Sequence, residues 1–194
     1  PAAKPPVPLL WKVTGPGDAR VYLLGSFHLL KPTDYPLSAD VEQAFTASKR
    51  VLFEVSPEEM ESTQAATQMV QTAIRRDGSE LKRDLDDATW QKLQAYATQN
   101  KLPLAQLQGM KSWFVALNIT IGQMQKMGLD ANLGLDRYFM AQAKKAGKQT
   151  GGLEDMQSQI NLLDGMSLQE QRQMMAEALD QAEKGDAQIG RAHV

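Results

Sequence analysis

Between residues 20 and 55 the chain spells strand, helix, strand, and that order leaves few folds open. Arg20 to Phe27 (RVYLLGSF) is an apolar, β-branched and aromatic run, and Arg50 to Val55 (RVLFEV) is another. Between them, after the loop Lys31 to Pro36, Val41, Ala44 and Phe45 recur at helical spacing behind a candidate cap at Ser38. A β-α-β connection within one sheet joins parallel strands with a right-handed crossover in nearly all cases. A further run, Leu9 to Thr14, precedes these across Gly15-Pro16-Gly17-Asp18, turn chemistry that favours an antiparallel hairpin. The two pairings together predict an α/β fold: a mixed β-sheet containing a βαβ unit, flanked by helices.

From Pro57 the texture turns helical. Pro57-Glu58-Glu59 suits a first turn and the Gln- and Met-rich stretch to Arg76 reads as one amphipathic helix. Others are expected at Asp87 to Gln99, Ser112 to Met127, Leu133 to Ala146 and Leu168 to Lys184, with Gly128, Gly147 and Gly185 as stops. Lys148 to Glu154 reads as a short strand and Ala187 to Val194 as a last one. The methionines are core filler, and no repeat of solenoid period is present. A length of 194 residues fits one domain, here residues 9–194, preceded by a disordered Pro-rich leader at 1–8. That leader, PAAKPPVP, resembles the stub left when a signal peptide is removed, so a periplasmic or secreted location is expected.

Lys and Arg number 21 against 23 Asp and Glu, a net charge of -2, which gives no whole-chain field for nucleic acid or an anionic membrane surface. The longest apolar run, Trp113 to Ile121, is broken by Asn118 and falls short of the roughly 18 residues a transmembrane helix needs. Cysteine is absent, which removes thiolate metal sites and a cysteine nucleophile together.

Imidazole chemistry is left to two residues, His28 and His193. Each closes a Gly-x-x-His: Gly25-Ser26-Phe27-His28 and Gly190-Arg191-Ala192-His193. A glycine three residues ahead lets a second backbone or a ligand approach closely, and the imidazole supplies a neutral nitrogen to a metal. Either histidine taken singly also suits a hydrogen-bonded structural role. Glu54 interrupts the apolar run Val51-Leu52-Phe53 and Val55, where burying a carboxylate is costly unless a metal, an Arg or a Lys offsets it. If the strands bearing His28 and Glu54 are neighbours, about 4.8 Å apart, both side chains reach one ion or one water beyond the carboxyl ends of the strands. Ser26 is an orienting hydroxyl rather than a nucleophile, since no Gly-x-Ser-x-Gly elbow surrounds it.

The segment LLGSFHLLKPTDYPLSADVEQAFTASKRVLFEV resembles the opening signature of the TraB/GumN family, related to the Tiki metalloproteases and more distantly to ChaN-like and erythromycin-esterase-like (EreA/ChaN-like) proteins. GLDRYFMAQAKKAGKQTGGLEDMQSQINLL, Gly134 to Leu163, is similar to the family's middle block, with a helical insertion between the two. The resemblance implies a divalent-metal-dependent hydrolase, a peptidase acting through a metal-activated water. Its metal ligands would be His28, Glu54 and His193, and its catalytic carboxylates Glu54 and Glu154. Gly25, Ser26, Asp136 and Gly190 would support them, Asp136 mainly as an early-turn carboxylate facing helix amides. Manganese or cobalt is implied ahead of zinc, and a peptide or protein is the expected substrate.

The chain departs from the family pattern at one place. Family members carry a long helical stretch with an Arg-Asn pair before the second Gly-x-x-His, whereas here AEKGDAQ runs into IGRAHV. The domain therefore reads as shortened at its C-terminal end by truncation or deletion, as ending in a vector-encoded tail, or as joined across a gap. A shortened domain suggests the rival reading, a non-catalytic protein of the same fold that binds a ligand or a protein, with exposed apolar surface that favours a homo-dimer.

Overall fold

The computed structural model describes residues 9–192, with side chains described as far as Gly185. The expected leader at 1–8 and His193 lie outside the described residues. In chain order the elements are β1 (Leu10–Thr14), β2 (Arg20–Leu24), α1 (Ala39–Ala47), β3 (Arg50–Val55), α2 (Pro57–Met60), α3 (Thr63–Ala73), α4 (Asp87–Gln99), α5 (Leu104–Gln108), α6 (Ser112–Lys126), α7 (Leu135–Ala146), β4 (Gln149–Glu154), α8 (Met156–Asp164) and α9 (Leu168–Ala192). The fold is α/β. It divides into two compact units where the sequence reads as one domain: residues up to 58 with 128–154, and 59–127 with those from 155 on.

Among the described residues, every strand lies in the first unit. β1 and β2 form the expected hairpin, with Trp11 opposite Leu23 and Val13 opposite Val21. β3 pairs in parallel with β4, Phe53 beside Gly152 and Val55 beside Glu154. Side chains alternate along a strand, so Phe53 and Val55 are buried while Leu52 and Glu54 share the open face. Glu54 thus breaks an apolar run without entering the core, and the burial cost anticipated from sequence does not arise. Helix α1 contributes Val41 and Ala44 to the core, and α7 contributes Leu135, Phe139, Met140 and Ala143. The Phe45 and Phe139 rings lie 5.1 Å apart. Gly147 ends α7 in the left-handed conformation (φ 63°), as a glycine just past a helix does when it closes the last turn.

In the second unit α4, α6 and α9 pack around Trp90, Leu93, Val115, Ile119, Met175 and Leu179. Asp86 caps α4, its carboxylate accepting from the Thr89 amide at 2.7 Å. Trp113 is fully buried on α6, its indole N–H donating to Asp164 at 3.0 Å, and Lys111 donates to the same carboxylate oxygen at 2.6 Å.

Three expectations are corrected. The antiparallel and parallel pairings belong to two separate two-stranded sheets rather than to one mixed sheet, and the parallel partner of β3 is β4 rather than β2. The reason lies just past β2. The Phe27 carbonyl accepts from the Leu135 amide at 2.9 Å and Leu30 exchanges backbone bonds with Asp130, so residues 27–30 are committed to the segment leading into α7. The single helix expected over 57–76 is two, because the Ser62 hydroxyl accepts from the Gln64 and Ala65 amides and starts α3 afresh. The last strand expected at 187–194 is replaced, as far as Ala192, by the continuation of α9 through Gly185 and Gly190; a helix packed on α6 tolerates such glycines at a cost of about 1 kcal/mol each.

Candidate functional site

His28, Glu54, Asp136 and Ser26 meet in the first unit. The imidazole is held from two sides: Nδ1 lies 3.1 Å from Asp136 Oδ2, and Nε2 lies 3.6 Å from Glu54 Oε2. Ser26 Oγ donates a hydrogen bond to the same Asp136 oxygen. Glu54 arrives from the open face of β3, one residue before the strand ends. Asp136 stands in the first turn of α7, and its side chain is only 9% exposed against 58% for His28 and 48% for Glu54. A shielded carboxylate therefore holds one side of a ring that is itself more than half exposed and whose other nitrogen faces Glu54.

Gly134 explains why a Gly-x-Asp is needed here. A Cβ built on it would lie 2.7 Å from the His28 carbonyl carbon, and closer still to the carbonyl oxygen. Only a glycine lets the start of α7 approach the 27–28 backbone this closely, and two residues later the helix delivers Asp136 to His28. Tyr35 and Tyr138 brace the same region. The Tyr35 hydroxyl donates to the Leu133 carbonyl at 2.6 Å, the Tyr138 hydroxyl donates to Glu42 at 2.7 Å, and the rings lie 5.1 Å apart.

The electrostatics follow from this packing. The hydrogen bond from Nδ1 to Asp136 raises the His28 pKa above 6.5; burial opposes it, and the charges of Asp136 and Glu54 add to it. Burial alone would raise Asp136, but the hydrogen bonds from His28 and Ser26 outweigh it and leave the carboxyl below its ordinary 3.8. With the bond to Asp136 occupying Nδ1, Nε2 becomes the available lone pair of the neutral ring. A carboxylate on the remote nitrogen in this way is the usual outer support of a metal-ligating histidine.

The residues expected from sequence are thus placed unevenly. His28, Glu54 and Ser26 come together. Asp136, expected to face helix amides, keeps a backbone hydrogen bond to its own amide in the first turn of α7 and in addition turns its carboxylate to His28 and Ser26, and so sets which imidazole nitrogen is open. The Gly25 amide bonds to the Leu9 carbonyl at 2.8 Å, and a Cβ there would crowd Leu9 at 3.0 Å. Glu154 ends β4 in register with Val55, one position beyond Glu54, and alternation turns consecutive residues to opposite faces. Gly190 lies within α9. His193 falls outside the described residues.

The donor set is one imidazole nitrogen and one carboxylate oxygen, a chemistry that suits Mn²⁺, Co²⁺ or Zn²⁺. Two ligands of one tetrahedral ion, each at about 2.1 Å, are separated by about 3.4 Å; Nε2 and Oε2 at 3.6 Å fit that spacing, and at this distance they make no direct hydrogen bond. Among the described residues no group of three or more His, Cys, Asp or Glu is gathered to hold a metal ion. The fit is thus to half of a coordination shell.

A family model described as the TraB/PrgY/gumN family matches residues 9–193. No curated protein and no solved structure matches the chain.

Proposed function

We infer that this chain, which belongs to the TraB/PrgY/gumN family, is a divalent-metal-dependent hydrolase acting on peptides. The observation that carries the reading is the imidazole of His28, anchored through Nδ1 and turning Nε2 toward Glu54 at 3.6 Å. His28 Nε2 and Glu54 would hold the cation, with His193 as the third ligand. Manganese or cobalt is our assignment, following the family resemblance. When bound, such an ion lowers the pKa of a coordinated water and polarises a carbonyl.

The chain's own groups have separate tasks. Asp136 fixes the tautomer and the plane of His28, and Ser26 fixes Asp136. Asp136 also stabilises the ring whenever it is protonated, so a proton delivered to Nε2 at the open side is balanced by a buried charge on the closed side. Glu54, half exposed and beside that nitrogen, can take a proton from water when it is not committed to the ion. Glu154 is kept as the alternative base, although its register beside Val55 favours Glu54.

Calorimetric titration with Mn²⁺, Co²⁺ and Zn²⁺ on the wild type, His28→Ala and Glu54→Gln tests the site. Uptake by the wild type and its loss in both variants supports the assignment. A peptide library, cleaved with metal and silent with chelator, tests the reaction. Metal uptake without cleavage would favour the rival, a binding protein that keeps the fold without the chemistry, and equally poor uptake by all three proteins would remove the metal site.

A further inference from the structure

A cleft of about 750 Å³ lies wholly within the second unit, in the size range of small-molecule sites. The end of α3 forms part of its wall. Gln68, Gln71 and Thr72 recur there at i, i+3 and i+4, the spacing at which a helix ordinarily turns apolar residues inward. Amides and a hydroxyl stand in their place. Two ion pairs also line the cleft, Arg75 with Asp84 and Lys111 with Asp164. Arg75 is fully used, since its guanidinium donates to the Met110 carbonyl at 3.1 Å, to the Ser79 hydroxyl at 2.7 Å and to Asp84. Lys111 gives a single proton to Asp164, and the oxygen that accepts it also accepts from the Trp113 indole. The other oxygen of Asp164, like that of Asp84, accepts no hydrogen bond among the described residues. Arg76 lines the same cleft, exposed, and its guanidinium has no hydrogen bond or ion pair among the described residues. Cationic donors and anionic acceptors are therefore both left over.

The charge balance narrows the occupant. Three cations, Arg75, Arg76 and Lys111, share the lining with three carboxylates, Asp77, Asp84 and Asp164. A phosphate ester would meet the carboxylates and a polyamine the cations, so a ligand of one sign is opposed either way. Ile74 is the one apolar side chain of the lining, too little to hold a lipid or a flat aromatic ring system. What remains is a small molecule that carries both charges and a polar body. We propose that this cleft binds a free α-amino acid with a polar side chain. Arg76 takes the α-carboxylate, whose two oxygens match the guanidinium fork, and Lys111 adds a second donor. The open oxygens of Asp164 and Asp84 take the ammonium, and the Gln71 amide and Thr72 hydroxyl meet the polar side chain. The proposal is independent of the hydrolase reading, because none of these groups belongs to the unit that holds His28 and Glu54.

Calorimetric titration of the whole chain with L-glutamine, L-asparagine, L-serine and L-glutamate, in a chelator so that no metal contributes, reads the binding directly. For ligands of this size dissociation on the order of 100 µM is expected for the best of them. Taking L-glutamine as the example, N-acetyl-L-glutamine lacks the ammonium and L-glutaminamide lacks the carboxylate, and each is expected to bind at least about 10-fold more weakly. L-leucine, of similar size and without a polar side chain, is expected to do the same. Arg76→Gln changes an exposed, unpaired side chain, so it should leave the melting curve of the unliganded protein unchanged while weakening the amino acid at least about 10-fold. Arg83→Gln, outside the lining, is expected to leave binding intact. No uptake of any of the polar amino acids up to about 10 mM overturns the proposal. It is overturned equally if a blocked analogue or L-leucine binds as well as the free polar amino acid, or if Arg76→Gln binds as the wild type does.

Discussion

Gly134→Ala is the sharpest single perturbation of the site, because it adds one carbon and changes nothing else. At φ -60° and ψ 149° an alanine backbone is unstrained, so the whole effect comes from the added atom. That carbon would lie 2.7 Å from the His28 carbonyl carbon and 3.1 Å from its Cα. Carbon atoms rest about 3.5 to 4.0 Å apart, so the carbon contact alone requires the two backbones to separate by at least roughly 0.8 Å, and the closer carbonyl oxygen requires more. They are tied together by the Leu135 to Phe27 backbone bond at 2.9 Å and by Asp136 to His28 at 3.1 Å. Overpacking of this kind costs about 1 to 3 kcal/mol, and in a chain of this length each kcal/mol lowers Tm by about 2 to 4 °C. Stretching the Asp136 contact by the same amount takes it outside hydrogen-bonding distance, which would return the His28 pKa toward 6.5. The control is Gly15→Ala in the same unit, where a Cβ meets nothing closer than 3.7 Å and the change should stay within about 0.5 kcal/mol. Thermal denaturation gives the first quantity and NMR titration of His28 the second. If Gly134→Ala melts with Gly15→Ala and His28 titrates as in the wild type, the close approach of α7 is not what builds the site.

Three other outcomes are expected. The raised His28 pKa means that its pairing stabilises the fold fully below 6.5 and fades as pH rises through the raised value; the lowered Asp136 pKa means that its share is present above 3.8 and fades as pH falls through the depressed one. The pair is at full strength between those limits, and Asp136→Asn should lower the His28 midpoint seen by NMR and shift the acid loss of metal uptake to lower pH. Gln123 is 5% exposed on α6 and both polar atoms of its amide are buried without a partner among the described residues, so Gln123→Leu should raise stability by about 1 to 3 kcal/mol in urea denaturation; a destabilised variant would mean that the amide is satisfied in solution. Trp113→Phe deletes the indole donor to Asp164 and leaves a gap in a fully buried position, and a loss of about 2 kcal/mol is expected, with an unchanged melting curve counting against a structural role for that bond.

Periodicity and punctuation made the long elements legible. Asp87 to Gln99, with Asp86 ahead of it, and Leu135 to Ala146, closed by Gly147, carry their own start or stop signals, and the helices follow them. Pairing was less legible, because β2 and β3 are adjacent in sequence yet take different partners; the Phe27 carbonyl's bond to Leu135 is a long-range event with no local trace. The site divides the same way. His28 and Glu54 stand out as polar residues closing apolar runs, whereas the role of Asp136 depends on how closely α7 approaches residues 27–28. In the sequence its signals are the family resemblance and the glycine two residues earlier, which marks the close contact.

The parallel pair has a consequence for how the molecule is made. β3 ends at Val55 and β4 begins at Gln149, with most of the helical unit between them. During synthesis His28 and Glu54 leave the ribosome long before Asp136, and β3 has no strand to zip onto until Glu154 has emerged. Contacts this distant in sequence form slowly, so the nascent chain passes through an interval in which the edge of β3 is bare. A chaperone that holds that edge during this interval would raise the yield of folded protein.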